Sequence, residues 1–249
     1  MGKVAILMLT MGRVEMTRKT WAHNLNNAGC EFDLFWWDNG STTEDLWEMA
    51  GMLDKYGDRV KFTEYSDNNV GIAKALNAMI RQAYKQGYDY FMTMANDILE
   101  PENWLRDRVG AAQKIENTAV VAIPPSHTGV TRYKREGISG IKIDNGQVIG
   151  NWLITRLAVE KIGYYNESYG NYAPLDLDYC DRCAFAKLKT YYLSDMTANH
   201  IGDPAQNPKD YQEAKEQSLR ESWPKYTKNV SLYRMGINIY QNEEKDKEN

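Results

Sequence analysis

Between Asn69 and Leu105 the chain reads NVGIAKALNAMIRQAYKQGYDYFMTMANDILEPENWL, and the order of its signals restricts the fold more than any other segment. Ile72, Ala75, Leu76, Met79, Ile80 and Ala83 recur at three- and four-residue spacing, which predicts an amphipathic helix over 71 to 86 ending near Gly87. Tyr88 to Met94 is an aromatic and apolar run of strand length. Asn96 and Asp97 close that strand, and in open α/β sheets ligands gather outside the carboxyl ends of strands. A solvent-facing acid there suits a divalent metal carrying phosphates. The same two letters also start ordinary turns, and the segment alone does not separate the readings.

A second unit repeats the arrangement. Lys3 to Thr10 is a nearly continuous apolar strand followed by Gly12, and Val14 to Leu25 carries helical spacing. Phe32 to Trp37 is a further apolar run that ends in Asp38-Asn39-Gly40-Ser41 before a helical stretch from Thr43 to Tyr56. Asp38 at a strand end suits hydrogen bonds from a base or ribose, and small residues at 40 and 41 let a ligand approach the backbone. The alternative is a capped turn with Ser41 or Thr42 as N-cap, which needs no ligand.

Composition bounds what such a chain does. With 249 residues it can bury a sizeable core, and nothing approaches the roughly 18 to 20 apolar residues of a membrane span. Val4 to Leu9 is too short for a signal-peptide core and is followed by Arg13, Arg18 and Lys19, so a cytoplasmic protein is expected. Cys30, Cys180 and Cys183 are too few for a disulfide framework. Cys180 and Cys183 stand one helical turn apart and read as helix-packing residues. The net charge of −4 argues against an extensive nucleic-acid footprint, although Arg132, Lys134 and Arg135 form a local basic patch. They lie in PPSHTGVTRYKREGISG, which reads as a mobile loop before a strand or hairpin around Ile141 to Gly150. Beyond Gly202 the pattern changes: 206–223 is polar with helical spacing, 226–240 mixes aromatic and basic residues, and 241–249 reads as a disordered tail. The division is thus a domain over 1–205, a helical and aromatic appendage over 206–240, and the tail. The appendage has three open uses: packing on the core, covering a site, or self-association into a homo-oligomer.

The blocks VAILMLTMGR, DLFWWDNGS, NVGIAKALNAMI, YDYFMTMANDILEPENWL and NWLITRLAVEKIGYYNESYGNYAPLDLDYCDR follow the order and spacing of family 2 glycosyltransferases of the GT-A fold. The resemblance covers roughly residues 3 to 201. It implies a Rossmann-like α/β domain, a mostly parallel mixed sheet flanked by helices, and a nucleoside-diphosphate sugar as donor, with UDP the expected nucleotide. By position, Thr10, Asp38 and Asn39 fall on the nucleoside side, and Asn69, Gly71 and Lys74 on the diphosphate side. Asn96 and Asp97 fall on the metal motif, Asp97 as the principal ligand for Mn2+ or Mg2+, and His200 on a further metal contact. Asp176 aligns with the general base that takes the acceptor proton, and Asp178 with an acceptor-side or structural carboxylate. Asp178 and Asp181 also suit a helix's first turn through its dipole. Trp152 reads equally as a sugar-stacking face or a core side chain, and Arg156 as an interior structural partner. His23 and His127 read as surface or packed side chains.

The chain departs from the family pattern in three places. Ala95 stands at the first acidic position of the metal motif, Leu175 replaces the acid before Asp176, and Met11-Gly12 follows the first strand where an aromatic is usual. The expected activity is an inverting, metal-assisted sugar transfer to an acceptor hydroxyl on a glycan, a small molecule or, as a minority case, a modified DNA base. The competing expectations are a non-catalytic nucleotide-sugar-binding protein and a nucleotidyltransferase; the latter should show a glycine-rich phosphate loop with a basic residue directly after the first strand, where this chain has only MGR.

Overall fold

The computed structural model describes residues 2–126, 134–138, 140–172, 174–202, 209–237 and 239. The chain begins with strand β1 (Val4–Thr10), helix α1 (Val14–Asn26), β2 (Asp33–Asp38), α2 (Thr43–Leu53) and β3 (Val60–Tyr65). It continues through α3 (Ile72–Lys85), β4 (Tyr90–Met94), the short β5 (Ile98–Leu99), α4 (Trp104–Lys114) and β6 (Thr118–Ala122). The hairpin β7 (Lys134–Ile138) and β8 (Ile141–Asn145) precedes β9 (Trp152–Thr155) and α5 (Arg156–Ile162). The last elements are α6 (Leu175–Phe185), β10 (Lys189–Leu193), β11 (Asn199–His200) and α7 (Lys209–Arg234).

Nine strands form one sheet in the order β3-β2-β1-β4-β9-β6-β10-β8-β7. The first four are mutually parallel, and β9 inserts antiparallel between β4 and β6. Covered on both faces, β1 must be apolar at every position rather than at alternate ones. Val4, Ile6 and Met8 join a core with Trp21 and Leu25 of α1, Met49 of α2 and Trp104 of α4. Ala5 and Leu7 face the other core, built from α3, α5 and α6 around Met79, Ile80, Val159 and Tyr179. The α3 and β4 signals read from the sequence therefore sit within one or two residues of the observed elements.

Two segments differ from their sequence readings. Residues 134–138 form β7, paired to β8 by main-chain bonds, rather than continuing a loop; His127 and Arg132 lie outside the described residues. The helix read from spacing as far as 223 extends further: α7 runs continuously through Pro224 to Arg234. Its inward face carries Ser218, Tyr226, Asn229 and Tyr233 at helical spacing. Ser218 Oγ donates to the Tyr172 carbonyl at 2.8 Å, the Tyr226 hydroxyl donates to Asp181 at 2.7 Å, and Tyr233 is fully buried. These side chains pack on the core, one of the three uses left open for this segment. The tail at 241–249 lies outside the described residues.

Cys180 and Cys183 are buried on α6, and burial pushes the Cys180 thiol up to about 12, so little thiolate forms near neutrality. Arg156 is held by the Tyr84 and Tyr88 carbonyls, with its guanidinium 3.9 Å from the Tyr84 ring centre. Among the described residues no helix is long and apolar enough to cross a membrane.

Candidate active site

A cavity of about 550 Å³ opens at the carboxyl ends of β1 and β4, where the sheet leaves backbone and side chains unroofed. Leu7, Leu9 and Thr10 come from β1, Ile72 and Leu76 from the start of α3, and Ala95, Asn96 and Asp97 from the turn after β4. Trp152, Tyr165, Tyr172 and Asp176 line the same cavity, so residues from both halves of the sequence meet in one space.

At the first end, Thr10 Oγ1 accepts from Trp36 Nε1 and donates to Asp38 Oδ2, each at 2.8 Å. Asp38 also accepts from Ser41 through both its N–H at 2.9 Å and its hydroxyl at 2.5 Å. Asp38 is 1% exposed and does not line the cavity; its oxygens are taken up in closing the β2–α2 turn, with Thr42 capping α2. The residue that reaches the cavity here is its neighbour Asn39. Asn39 donates to Asn69 Oδ1 at 2.8 Å and accepts the Val70 N–H at 2.9 Å, latching the Asn-Val-Gly loop against β2. Gly71, at φ 92°, backs onto Asn171, where a Cβ would meet the Asn171 amide at 3.1 Å. Lys74 is exposed and absent from the cavity wall. Two residues along a helix turn a side chain by roughly 200°, so the cavity-facing Ile72 sends Lys74 to solvent.

The second end is assembled by a short ribbon. β5 pairs antiparallel with β11, setting His200 opposite Ile98, and the Ile201 N–H bonds the Asp97 carbonyl at 2.8 Å. His200 Nε2 then lies 3.6 Å from Asp97 Oδ2, bringing together two residues more than a hundred positions apart in sequence. Gly202 is required beside them, because a Cβ there would sit 2.9 Å from Asp97 Oδ2. Arg13 Nη1 approaches the same oxygen at 3.5 Å. Asn96 gives its amide N–H to Thr17 at 3.0 Å, leaving its amide oxygen as the group it can offer a ligand.

Among the described residues no cluster of three or more His, Cys, Asp or Glu side chains forms a ready cation cage. Asp97 and His200 nonetheless make a carboxylate-imidazole pair, a donor set suited to Mn2+ as well as Mg2+. Two protein donors fit a cation that shares its remaining positions with phosphate oxygens and water, rather than a resident ion.

Asn151 fixes the turn that carries Asp97. Its Oδ1 accepts the Ala95 N–H at 2.7 Å, and its Nδ2 donates to Glu100 at 2.9 Å. Glu100 and Arg108, both fully buried, are joined through Arg108 Nη2, which contacts both carboxylate oxygens at 2.9 Å. Replacing Asn151 by Ala orphans the Ala95 N–H and one bond to a buried carboxylate, each loss being worth about 1–3 kcal/mol. Thermal unfolding of Asn151→Ala is expected to shift down by roughly 4–24 °C, given about 2–4 °C per kcal/mol at this size. An unchanged melting temperature rules out this anchoring role.

At the third end Asp176 lines the cavity from the first turn of α6. Burial raises its pKa above the ordinary carboxylate value, and the Leu177 N–H on Oδ1 at 2.9 Å offsets this only in part. Trp152 is 4% exposed, packed edge-on against Tyr179 and tilted against Tyr165, and it lines the cavity. Asp178, read from the sequence as either an acceptor-side or a structural carboxylate, faces the interior. It accepts from the Tyr169 and Tyr233 hydroxyls at 2.6 Å and from Arg182 Nε at 2.9 Å, all buried. Two residues on from Asp176 along a helix, it points away from the cavity for the same geometric reason as Lys74. The sequence reading missed Arg13, Asn151, Tyr165 and Tyr172 as lining residues.

Known proteins share this architecture. A mannosyltransferase, PcManGT from Pyrobaculum calidifontis, solved with GDP-Man and Mn2+, superposes with a TM-score of 0.66 at 12% identity over 91% of this chain and 64% of its own. TarS of S. aureus, residues 1–349, gives 0.59 at 14% identity over 80% and 60%. GalNAc-T7 with UDP, GalNAc and Mn2+ gives 0.63 at 11% over 81% and 44%. The chain thus spans less than two-thirds of the length of each of these proteins, and at such identities the likeness establishes the GT-A fold. None of the curated protein sequences matches it significantly. The profile of glycosyl transferase family 2 matches residues 5–173, well over half of the sequence, and the chain therefore belongs to that family.

Proposed function

We propose that this protein transfers a sugar from a nucleoside-diphosphate sugar to an acceptor hydroxyl with inversion at the anomeric carbon. The observation that carries the reading is the shared cavity: Asp97, paired with His200, and Asp176 both line it, together with Asn39 and Asn69. Family membership and the nucleotide-bound structures of PcManGT and GalNAc-T7 support the donor class.

In this reading Thr10, Asn39 and Asn69 border the nucleoside, and Asn96, Asp97 and His200 border the diphosphate. Asp97 and His200 would hold a divalent cation, which would supply Lewis-acid stabilisation of the negative charge that grows on the departing diphosphate. Asp176 accepts the acceptor's hydroxyl proton as that oxygen bonds to the anomeric carbon and the bond to the diphosphate oxygen breaks. A carboxylate whose pKa is raised by burial is a stronger base than a solvated one. Trp152 and Tyr165 offer the apolar face against which a sugar ring packs.

The test is release of free nucleoside diphosphate from a panel of UDP-, GDP-, CMP- and dTDP-linked sugars with Mn2+, with CMP release scored for the CMP-linked donors. One donor family is expected to give turnover, slow with water alone and faster with a hydroxyl acceptor. Binding of a sugar nucleotide with no turnover for any acceptor replaces this reading with that of a non-catalytic nucleotide-sugar-binding protein.

A further inference from the structure

We infer that Arg13 contacts the donor diphosphate directly and lets this protein bind a nucleoside diphosphate without a divalent cation. This rests on the nucleotide-sugar reading above and adds a phosphate-binding residue to it. Arg13 stands at the N-terminus of α1 with φ 57°, directly after Gly12 at φ 60°. Two successive left-handed residues make a sharp turn out of β1, a conformation that a non-glycine residue adopts only when its surroundings hold it there. The Gly12 N–H donates to Ser41 Oγ at 2.7 Å, and the Arg13 carbonyl accepts the Thr17 N–H at 2.9 Å, so the turn is tied at both sides. The result is a guanidinium about one-third exposed, on the cavity wall, 3.5 Å from Asp97.

The local charge gives this placement its meaning. With alanine at 95, the turn after β4 presents one carboxylate, Asp97, and Arg13 offsets it. A pair of carboxylates at that turn would repel a diphosphate until a cation arrived; one carboxylate beside a guanidinium does not. Arginine is also the side chain whose planar fork matches phosphate oxygens, and it is more weakly hydrated than lysine.

Isothermal titration of wild-type protein, Arg13→Met and Arg13→Lys with UDP, GDP and dTDP, and with the matching monophosphates, in Mn2+ or in EDTA tests this. In EDTA the wild type is expected to keep diphosphate affinity within about tenfold of its value in Mn2+. Arg13→Met is expected to lose about 10- to 100-fold for the diphosphate in EDTA, the range for one charge-assisted hydrogen bond, and much less for the monophosphate. Arg13→Lys is expected to recover part of the loss. Melting curves identify any misfolded variant, in which case the lysine variant and the wild-type EDTA comparison decide. Diphosphate binding by Arg13→Met equal to wild type in EDTA, or complete loss of wild-type binding in EDTA, overturns the inference. Wild-type protein that binds no nucleotide under either condition overturns the nucleotide-sugar reading and the role of Arg13 with it.

Discussion

Asp176→Asn is expected to lower kcat/KM by about 10²- to 10⁴-fold, the usual contribution of a positioned general base, while leaving the fold as stable as wild type or more so. The sign of the stability effect follows from the raised pKa of Asp176, which burial causes. The native state holds its proton to higher pH than the unfolded chain, where an aspartate titrates near about 4. Stability from this group is therefore complete below the unfolded value and is lost as pH rises through the native one. Once ionised, the buried carboxylate costs stability, and asparagine removes that cost. The rate profile runs the other way: the base is active when ionised, so wild-type kcat/KM is expected to fall on acidification at a higher pH than a solvated aspartate would give. Parallel melting curves and pH–rate profiles check both arms. A variant that is inactive only because it unfolds contradicts the assignment.

The second large effect concerns the aspartate two positions on. Asp178→Ala leaves the buried Arg182 guanidinium without its carboxylate and removes the acceptor of two tyrosine hydroxyls. Breaking a buried ion pair from one side costs about 3–5 kcal/mol, against a total stability of about 5–15 kcal/mol. The melting temperature is expected to drop by roughly 6–20 °C. Arg182 also donates to the Ile162 and Tyr164 carbonyls at 2.8 Å, so the loss spreads from α6 to the chain after α5. Asp181→Ala removes half-buried bonds from Tyr226 and Gln147 and is expected to cost only about 1 kcal/mol. If Asp178→Ala melts like wild type and loses activity alone, its carboxylate serves the acceptor and not the core.

These two aspartates show where sequence reasoning succeeds and where it stops. Long periodic signals were legible: α3, β1 and β4 lie close to their expected bounds because burial on one or both faces writes itself into spacing. Which way a strand-end or helix-start carboxylate points is a matter of one or two residues of rotation. Hence Asp38 and Asp178 turned inward while Asn39 and Asp176 reached the cavity. The ribbon of β5 and β11 has two residues per strand, too few to carry any period, although it is what sets His200 beside Asp97. The insertion of β9 between β4 and β6 is likewise a long-range choice. Pro224 would ordinarily end a helix; α7 passes through it because Tyr226, Asn229 and Tyr233 are held by the core on the far side. Arg13 carried a weak signal, an arginine directly after a strand and glycine, whereas Asn151 carried none.

Melting curves of wild-type protein and Asp97→Ala with UDP, GDP, CMP, dTDP and their common sugar conjugates, each with and without Mn2+, test most directly whether this cavity holds a nucleoside-diphosphate sugar. One nucleotide family is expected to stabilise the wild type, by about 2.7 kcal/mol at a hundredfold excess over its Kd. Mn2+ is expected to add to that stabilisation, and Asp97→Ala to lose the added part. Failure of every nucleotide to raise the melting temperature of the wild type, with or without the cation, contradicts the account.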